Sequence, residues 1–220
     1  MATLRYRSTN ENLQNIVDGL QPESGDVIAA ICGSGDQAFA LAEYGARVFA
    51  VDRNPEQVSF AEQRLHSLGT EKEEEIFFNR AYRGESGSLN FNVGRSNAYF
   101  SLGGRREKIR IHRANIHFRC DDFFSYVCEN AGAIGFTKIY ISNAISRLWG
   151  CKSPQKALDD IVNVLPKRGL LYVANGLYVT NGFIFSGFSP KALREVHPQL
   201  ECVSVFQNST GWEPAVFVKR

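Results

Sequence analysis

Residues 27–55 constrain this chain more than any other stretch. Val27-Ile-Ala-Ala-Ile31 is an apolar run, Cys32-Gly33-Ser34-Gly35 breaks it, and Asp36 to Tyr44 has helical composition. After Gly45 a second apolar run, Val48 to Val51, ends on Asp52. Strand, glycine turn, helix and strand in immediate succession read as one crossover unit of an open α/β sheet. Gly33 and Gly35 let the backbone turn close to a ligand, and an acid at the carboxyl end of the second strand can accept both hydroxyls of a ribose. Gly33, Ser34, Gly35, Gln37, Asp52 and Arg53 are therefore the candidate cofactor-binding residues of this unit, and the group they suit is an adenosyl group.

The spacing alone leaves two ligands open. Ala38 stands where a dinucleotide fingerprint wants its third small residue, so a nicotinamide enzyme is not excluded. The residues after the acid point elsewhere: Asp52-Arg53-Asn54-Pro55 starts a new helix with proline near its first turn and Glu56 near its amino end. That arrangement resembles S-adenosylmethionine enzymes of the class I methyltransferase fold.

The rest of the chain is consistent with that sheet. Leu13, Ile16, Val17 and Leu20 recur at helical spacing, giving a short amphipathic helix before the first strand whose polar start, Ser8-Thr9-Asn10-Glu11, caps the helix or covers the ligand. Residues 1–24 form this helix or lid. A helix follows over Glu56–Leu68, then a solvated acidic stretch, Glu71–Glu75. Asn115–Arg119, Lys138–Asn143 and Leu170–Ala174 read as further strands, with a helix from Pro154 to Leu165 and another opened by Ser189-Pro190. Asp121 or Asp122 is placed to accept from an adenine amino group with Phe123 packing on the ring, while an acidic pair is also a good helix start. Val203–Gln207 and Ala215–Val218, separated by Asn208–Trp212, form a terminal antiparallel pair. The expected fold is α/β: a doubly wound, mainly parallel seven-stranded sheet closed by that hairpin, in a single domain of 220 residues.

Residues 76–112 read as irregular, mixing aromatics (Phe77, Phe78, Tyr82, Phe91, Tyr99, Phe100) with glycines. An insertion over about residues 70–113 of this kind is either an acceptor-binding element or a small satellite core. The basic run Arg105–Arg113 suits phosphate contacts or a solvated helix face or strand edge, the plainer reading being preferred.

A net charge of +2 and a pI near 8.3 do not mark a nucleic-acid binder. Cys32, Cys120, Cys128, Cys151 and Cys202 are odd in number and lack paired spacing, and the four histidines are scattered, so we expect reduced thiols, a cytoplasmic location and no metal. No apolar run is long enough for a transmembrane segment, and Met-Ala-Thr-Leu-Arg-Tyr-Arg lacks the apolar core of a signal peptide.

Four segments carry a closer resemblance: Ser8-Thr9-Asn10-Glu11, Cys32-Gly-Ser-Gly-Asp-Gln-Ala38, Val51-Asp-Arg-Asn-Pro55 and Ile139-Tyr-Ile-Ser-Asn143. Together they resemble the 3-amino-3-carboxypropyl transferases of betaine-lipid synthesis and their shorter uncharacterised relatives. Ile31, two residues before Gly33, replaces the acid that ordinary methyltransferases often place there. The resemblance implies S-adenosyl-L-methionine as cofactor, attack on the γ carbon of its methionine moiety and release of methylthioadenosine. It implies Ser142 and Asn143 as tail-holding catalytic residues, helped by Ser8 or Asn10, with Tyr82 or Tyr99 facing the sulfonium. The acceptor is then a small molecule, or none if the cofactor's own amino group closes azetidine-2-carboxylate. Two readings compete: a methyltransferase acting on a small molecule or RNA, and a non-catalytic adenosyl-binding module.

Overall fold

A computed structural model describes residues 3–78, 87–142, 144, 154–173, 177–180, 183–186, 197–206 and 214–220. The apolar run β1 (Val27–Ile31) lies at the middle of the sheet, parallel to β2 (Arg47–Asp52) on one side and β4 (Lys138–Ser142) on the other. β3 (Ile116–Cys120) pairs outside β2, and β5 (Leu170–Val173) outside β4. β9 (Ala215–Lys219) then runs antiparallel to β5, and β8 (Leu200–Val205) antiparallel to β9. The order β3-β2-β1-β4-β5-β9-β8 makes the expected seven-stranded, doubly wound sheet with its terminal antiparallel pair. A separate two-stranded ribbon joins β6 (Leu177–Thr180) and β7 (Phe183–Ser186).

Strand alternation divides the core. Ile28, Ala30, Val48, Ala50, Tyr140, Tyr172 and Val216 face one side, covered by α1 (Leu13–Leu20), α2 (Asp36–Ala42) and α3 (Pro55–Ser67). Ala29, Phe49, Val51, Ile139, Ile141, Leu171 and Phe217 face the other, covered by α7 (Phe123–Ile134) and α8 (Pro154–Val164). Each such large side chain contributes about 1.5–3 kcal/mol on burial. The chain builds outward from β1 to β3, then returns to place β4 on β1's free side, and the reversal opens a crevice at the carboxyl ends of β1 and β4.

The stretch read as irregular is largely helical: α4 (Glu73–Ile76), α5 (Gly87–Ser101) and α6 (Arg105–Ile111). Gly94 lies inside α5 without a positive φ, and open space surrounds the position a Cβ would take there. Phe77 and Phe100 join Phe39 in the first core, with ring centroids 5.5 and 6.3 Å from it, so these aromatics extend the main core. The basic run becomes a helix face whose Arg105, Arg106 and Arg110 pair with Glu43, Glu73 and Glu107. The amino-terminal helix is capped by Asn12, whose side chain accepts from the Gln14 and Asn15 amides. Tyr82, Asn143, the helix expected at Ser189-Pro190 and the Asn208–Trp212 connection lie outside the described residues.

Candidate functional site

Asp52 closes β2 beside the glycine turn. Its two oxygens accept from the Gly33 amide at 3.2 Å and the Asn54 amide at 2.9 Å, and burial raises its pKa against the pull of those two donors. Gly33 (φ +49°) faces open space, since a Cβ there would meet only Gln37 Oε1 at 4.0 Å. Gly35 (φ +87°) is confined, with a Cβ falling 2.7 Å from Phe39 and 2.9 Å from Ala61. The first glycine therefore lets a ligand approach, and the second lets α2 pack on α3.

A second cluster stands at the end of β4. Glu11, 6 % exposed, accepts on Oε1 from the Tyr140 hydroxyl at 2.6 Å and from the Ser142 hydroxyl. Ser142 holds a left-handed backbone (φ +49°) next to a β-bulge, a strained conformation that directs its hydroxyl onto Glu11. Burial raises the Glu11 pKa, opposed by both hydroxyls and by the nearby Arg95 charge. Burial and the facing carboxylate push the Tyr140 phenol well up, so it stays a donor. Gln37 donates to the Tyr140 hydroxyl at 3.3 Å and to Thr9 Oγ1 at 2.8 Å. Glu11 Oε2 and Gln37 Oε1 are buried acceptors with no hydrogen-bond partner. Two such atoms in one network are costly unless a donor reaches them.

Asp36, fully buried, links this cluster to the glycine turn. It pairs with Arg64 at 2.7 Å and accepts from the Ser34 hydroxyl at 2.9 Å, the Thr9 amide at 2.8 Å and the Ser96 hydroxyl at 3.0 Å. The Arg64 guanidinium lies 5.3, 5.7 and 5.2 Å from the ring centroids of Phe39, Phe60 and Phe77.

The sequence-derived candidates divide accordingly. Gly33, Gln37, Asp52 and Ser142 lie at the carboxyl edge; Ser34 is buried with its hydroxyl turned to Asp36 and its carbonyl accepting from Arg64. Ser8 and Asn10 alternate with Thr9 and Glu11, and it is the latter pair that the core engages. Asp122 caps α7 by accepting from the Ser125 amide, and exposed Asp121, beside Asp52 at the end of β3, accepts on Oδ1 from the Asp122 amide at 2.7 Å. Phe123 is 5 % exposed and edge-on to Phe124, so core packing accounts for its ring. Arg53 is exposed.

Tyr99 is a correction. Its hydroxyl donates to Glu43 at 3.2 Å and accepts from Arg105 at 2.6 Å, at the far end of α2. That point lies about 10 Å along the helix from Asp36. Ser96 and Tyr99, three residues apart on one face of α5, both reach α2, but Ser96 meets Asp36 at its start and Tyr99 meets Glu43 at its end. Glu11, Thr9, Asp36, Arg64, Ser96 and Tyr140, which the structure gathers around these candidates, are not individually singled out by the sequence pattern. Among the described residues no group of three metal-ligating side chains converges, and no helix is long and apolar enough to cross a membrane.

No protein-family model matches the sequence, and no curated protein matches it. Solved structures do. N-methyltransferase NodS from Bradyrhizobium japonicum WM9 aligns with a TM-score of 0.55 at 14 % identity, over 94 % of this chain and 93 % of that one. A SAM-dependent methyltransferase from Methanosarcina mazei gives 0.52 at 14 %, over 93 % and 96 %. Magnesium protoporphyrin IX methyltransferase from Synechocystis PCC 6803, solved with bound SAM, gives 0.52 at 12 %, over 94 % and 76 %. At these identities the likeness establishes the fold, that of the class I S-adenosylmethionine-dependent methyltransferases.

Proposed function

We propose that the chain is an S-adenosylmethionine-dependent transferase that directs a nucleophile to the γ carbon of the methionine moiety. It passes the 3-amino-3-carboxypropyl group to a small acceptor, or closes it to azetidine-2-carboxylate, and releases methylthioadenosine. The observation that carries the cofactor half of this reading is the buried Glu11 at the end of β4, with Oε2 unpaired beside the unpaired Gln37 Oε1, while the γ carbon is chosen on the resemblance of the four sequence segments. Two buried acceptors suit a donor, and a primary ammonium donates three hydrogen bonds and adds its charge to that of Arg95, which already acts on the Glu11 carboxylate. Asp52 lies across the glycine turn from this pair. A ligand with a ribose at one end and an ammonium at the other fits both, whereas a dinucleotide would bring an anionic pyrophosphate towards Glu11.

In this reading Asp52 holds the ribose, the open side of Gly33 admits the ligand, and Glu11, Gln37 and Ser142 hold the amino-acid tail. Bound S-adenosylmethionine supplies a sulfonium, an already activated leaving group. The task left to the chain is placement, which contributes up to about 7–11 kcal/mol when orientation is good. Glu11 also offers a proton acceptor beside an amine, which must lose a proton to become a nucleophile.

Methyl transfer is the competing reading, since the named fold neighbours are methyltransferases. An RNA substrate is less favoured, because Arg105, Arg106 and Arg110 are engaged by acidic side chains. The sulfur product decides: methylthioadenosine formed above the spontaneous rate supports γ-carbon attack, and S-adenosylhomocysteine with a methylated acceptor overturns it.

A further inference from the structure

Residues 3–12 cross the carboxyl edge of the sheet without forming a helix or strand, so their backbone groups need other partners. The elements bracketing the candidate site supply them. Asn54 donates to the Thr3 carbonyl at 2.8 Å. Gln57, 1 % exposed in the first turn of α3, accepts from the Arg5 and Tyr6 amides at 3.1 and 3.0 Å and donates back to the Tyr6 carbonyl. Farther on, Asp36 accepts from the Thr9 amide, and Thr9 Oγ1 accepts from the Glu11 amide at 3.1 Å. The segment is thus strapped down first beside Asp52 and then beside the glycine turn, and its far end delivers Glu11 to β4. The Arg64 that neutralises Asp36 also donates to the Ser34 carbonyl at 2.7 Å, so the strap and the turn share one buried ion pair.

We infer that this strap is the specificity element for the ligand's amino-acid tail, and that Gln57 and Asp36 are positioning residues that set the height of Glu11. The inference rests on the S-adenosylmethionine reading above. Neither residue has to touch the ligand; each fixes a point of the strap, and only a ligand carrying the tail senses where Glu11 sits.

The test compares S-adenosylmethionine with methylthioadenosine, which shares the adenosine and lacks the amino-acid tail, by calorimetry on the full chain. Removing the strap bonds in Gln57→Ala weakens S-adenosylmethionine binding by about tenfold and leaves methylthioadenosine binding unchanged. Gln57→Glu, which keeps the acceptor for the Arg5 and Tyr6 amides, restores most of the loss. Asp36→Asn shows the same selectivity with a larger effect, but it strands a buried guanidinium, so Gln57 is the cleaner position. Amide exchange in Gln57→Ala rises over residues 3–12 while β1, β2 and β4 keep their protection. Equal weakening of both ligands, or unchanged exchange in the strap, overturns the inference alone. A wild-type chain that binds neither ligand overturns the S-adenosylmethionine reading, and the tail-sensing role with it.

Discussion

Glu11 combines burial, two donated hydroxyls and one unpaired oxygen, and its titration reports that environment. Its pKa is raised from the ordinary 4.5, chiefly by burial, so the folded chain holds the proton more tightly than the unfolded chain. The ionised form therefore costs stability above the folded-state pKa, and the cost disappears as pH falls below the ordinary value. Glu11→Gln keeps an acceptor for Tyr140 and Ser142 and removes the charge. We expect it to melt higher than wild type at pH 7–8, by about 2–4 °C for each kcal/mol relieved, with the gap closing in acid while turnover is lost. A lower melting temperature at neutral pH would contradict this account of the residue. For Asp52→Ala the expected loss is about 1.5–3 kcal/mol of S-adenosylmethionine affinity, read by calorimetry, with unchanged affinity ruling out its ribose role. Asp52 was legible in the sequence because an acid ending an apolar strand is a local pattern. Glu11 was not: its partners Tyr140 and Ser142 lie 129 and 131 residues away, and within its own segment it reads as part of a polar helix start.

At the scale of elements, the two glycines of the turn separate binding from packing. Gly33→Ala places a methyl in open space, so its stability cost is the backbone strain of φ +49° alone, smaller than that of Gly35→Ala, while it should lower ligand affinity. Gly35→Ala forces a Cβ to 2.7 Å from Phe39 at φ +87°, and should cost about 1–3 kcal/mol of stability in denaturant titrations. Equal effects of the two substitutions on stability would contradict this division. The strands and their flanking helices were readable because apolar runs, Pro55 at a first helical position and Asp122 at a cap are local signals. α5 and α6 were obscured by glycines at 94, 103 and 104, although Phe100 and Ile109 anchor these helices in the core. Tyr99 was misplaced for a related reason: it shares a face of α5 with Ser96, and only the way α5 lies along α2 shows that Ser96 reaches Asp36 while Tyr99 reaches Glu43.

Over the whole molecule, the site follows from where the chain reverses its course across the sheet. β1 and β4 meet at that reversal, with Asp52 on one side and Glu11, brought by the strap, on the other. The alternation of strands and helices made the architecture legible, but fold alone leaves the reacting carbon open. The most direct test uses S-adenosylmethionine carrying 13C throughout its aminocarboxypropyl chain, incubated with the purified chain alone and with candidate acceptors, products being read by mass spectrometry. We predict unlabelled methylthioadenosine together with the label in azetidine-2-carboxylate or on an acceptor. Labelled S-adenosylhomocysteine beside an unlabelled methylated product would contradict attack at the γ carbon.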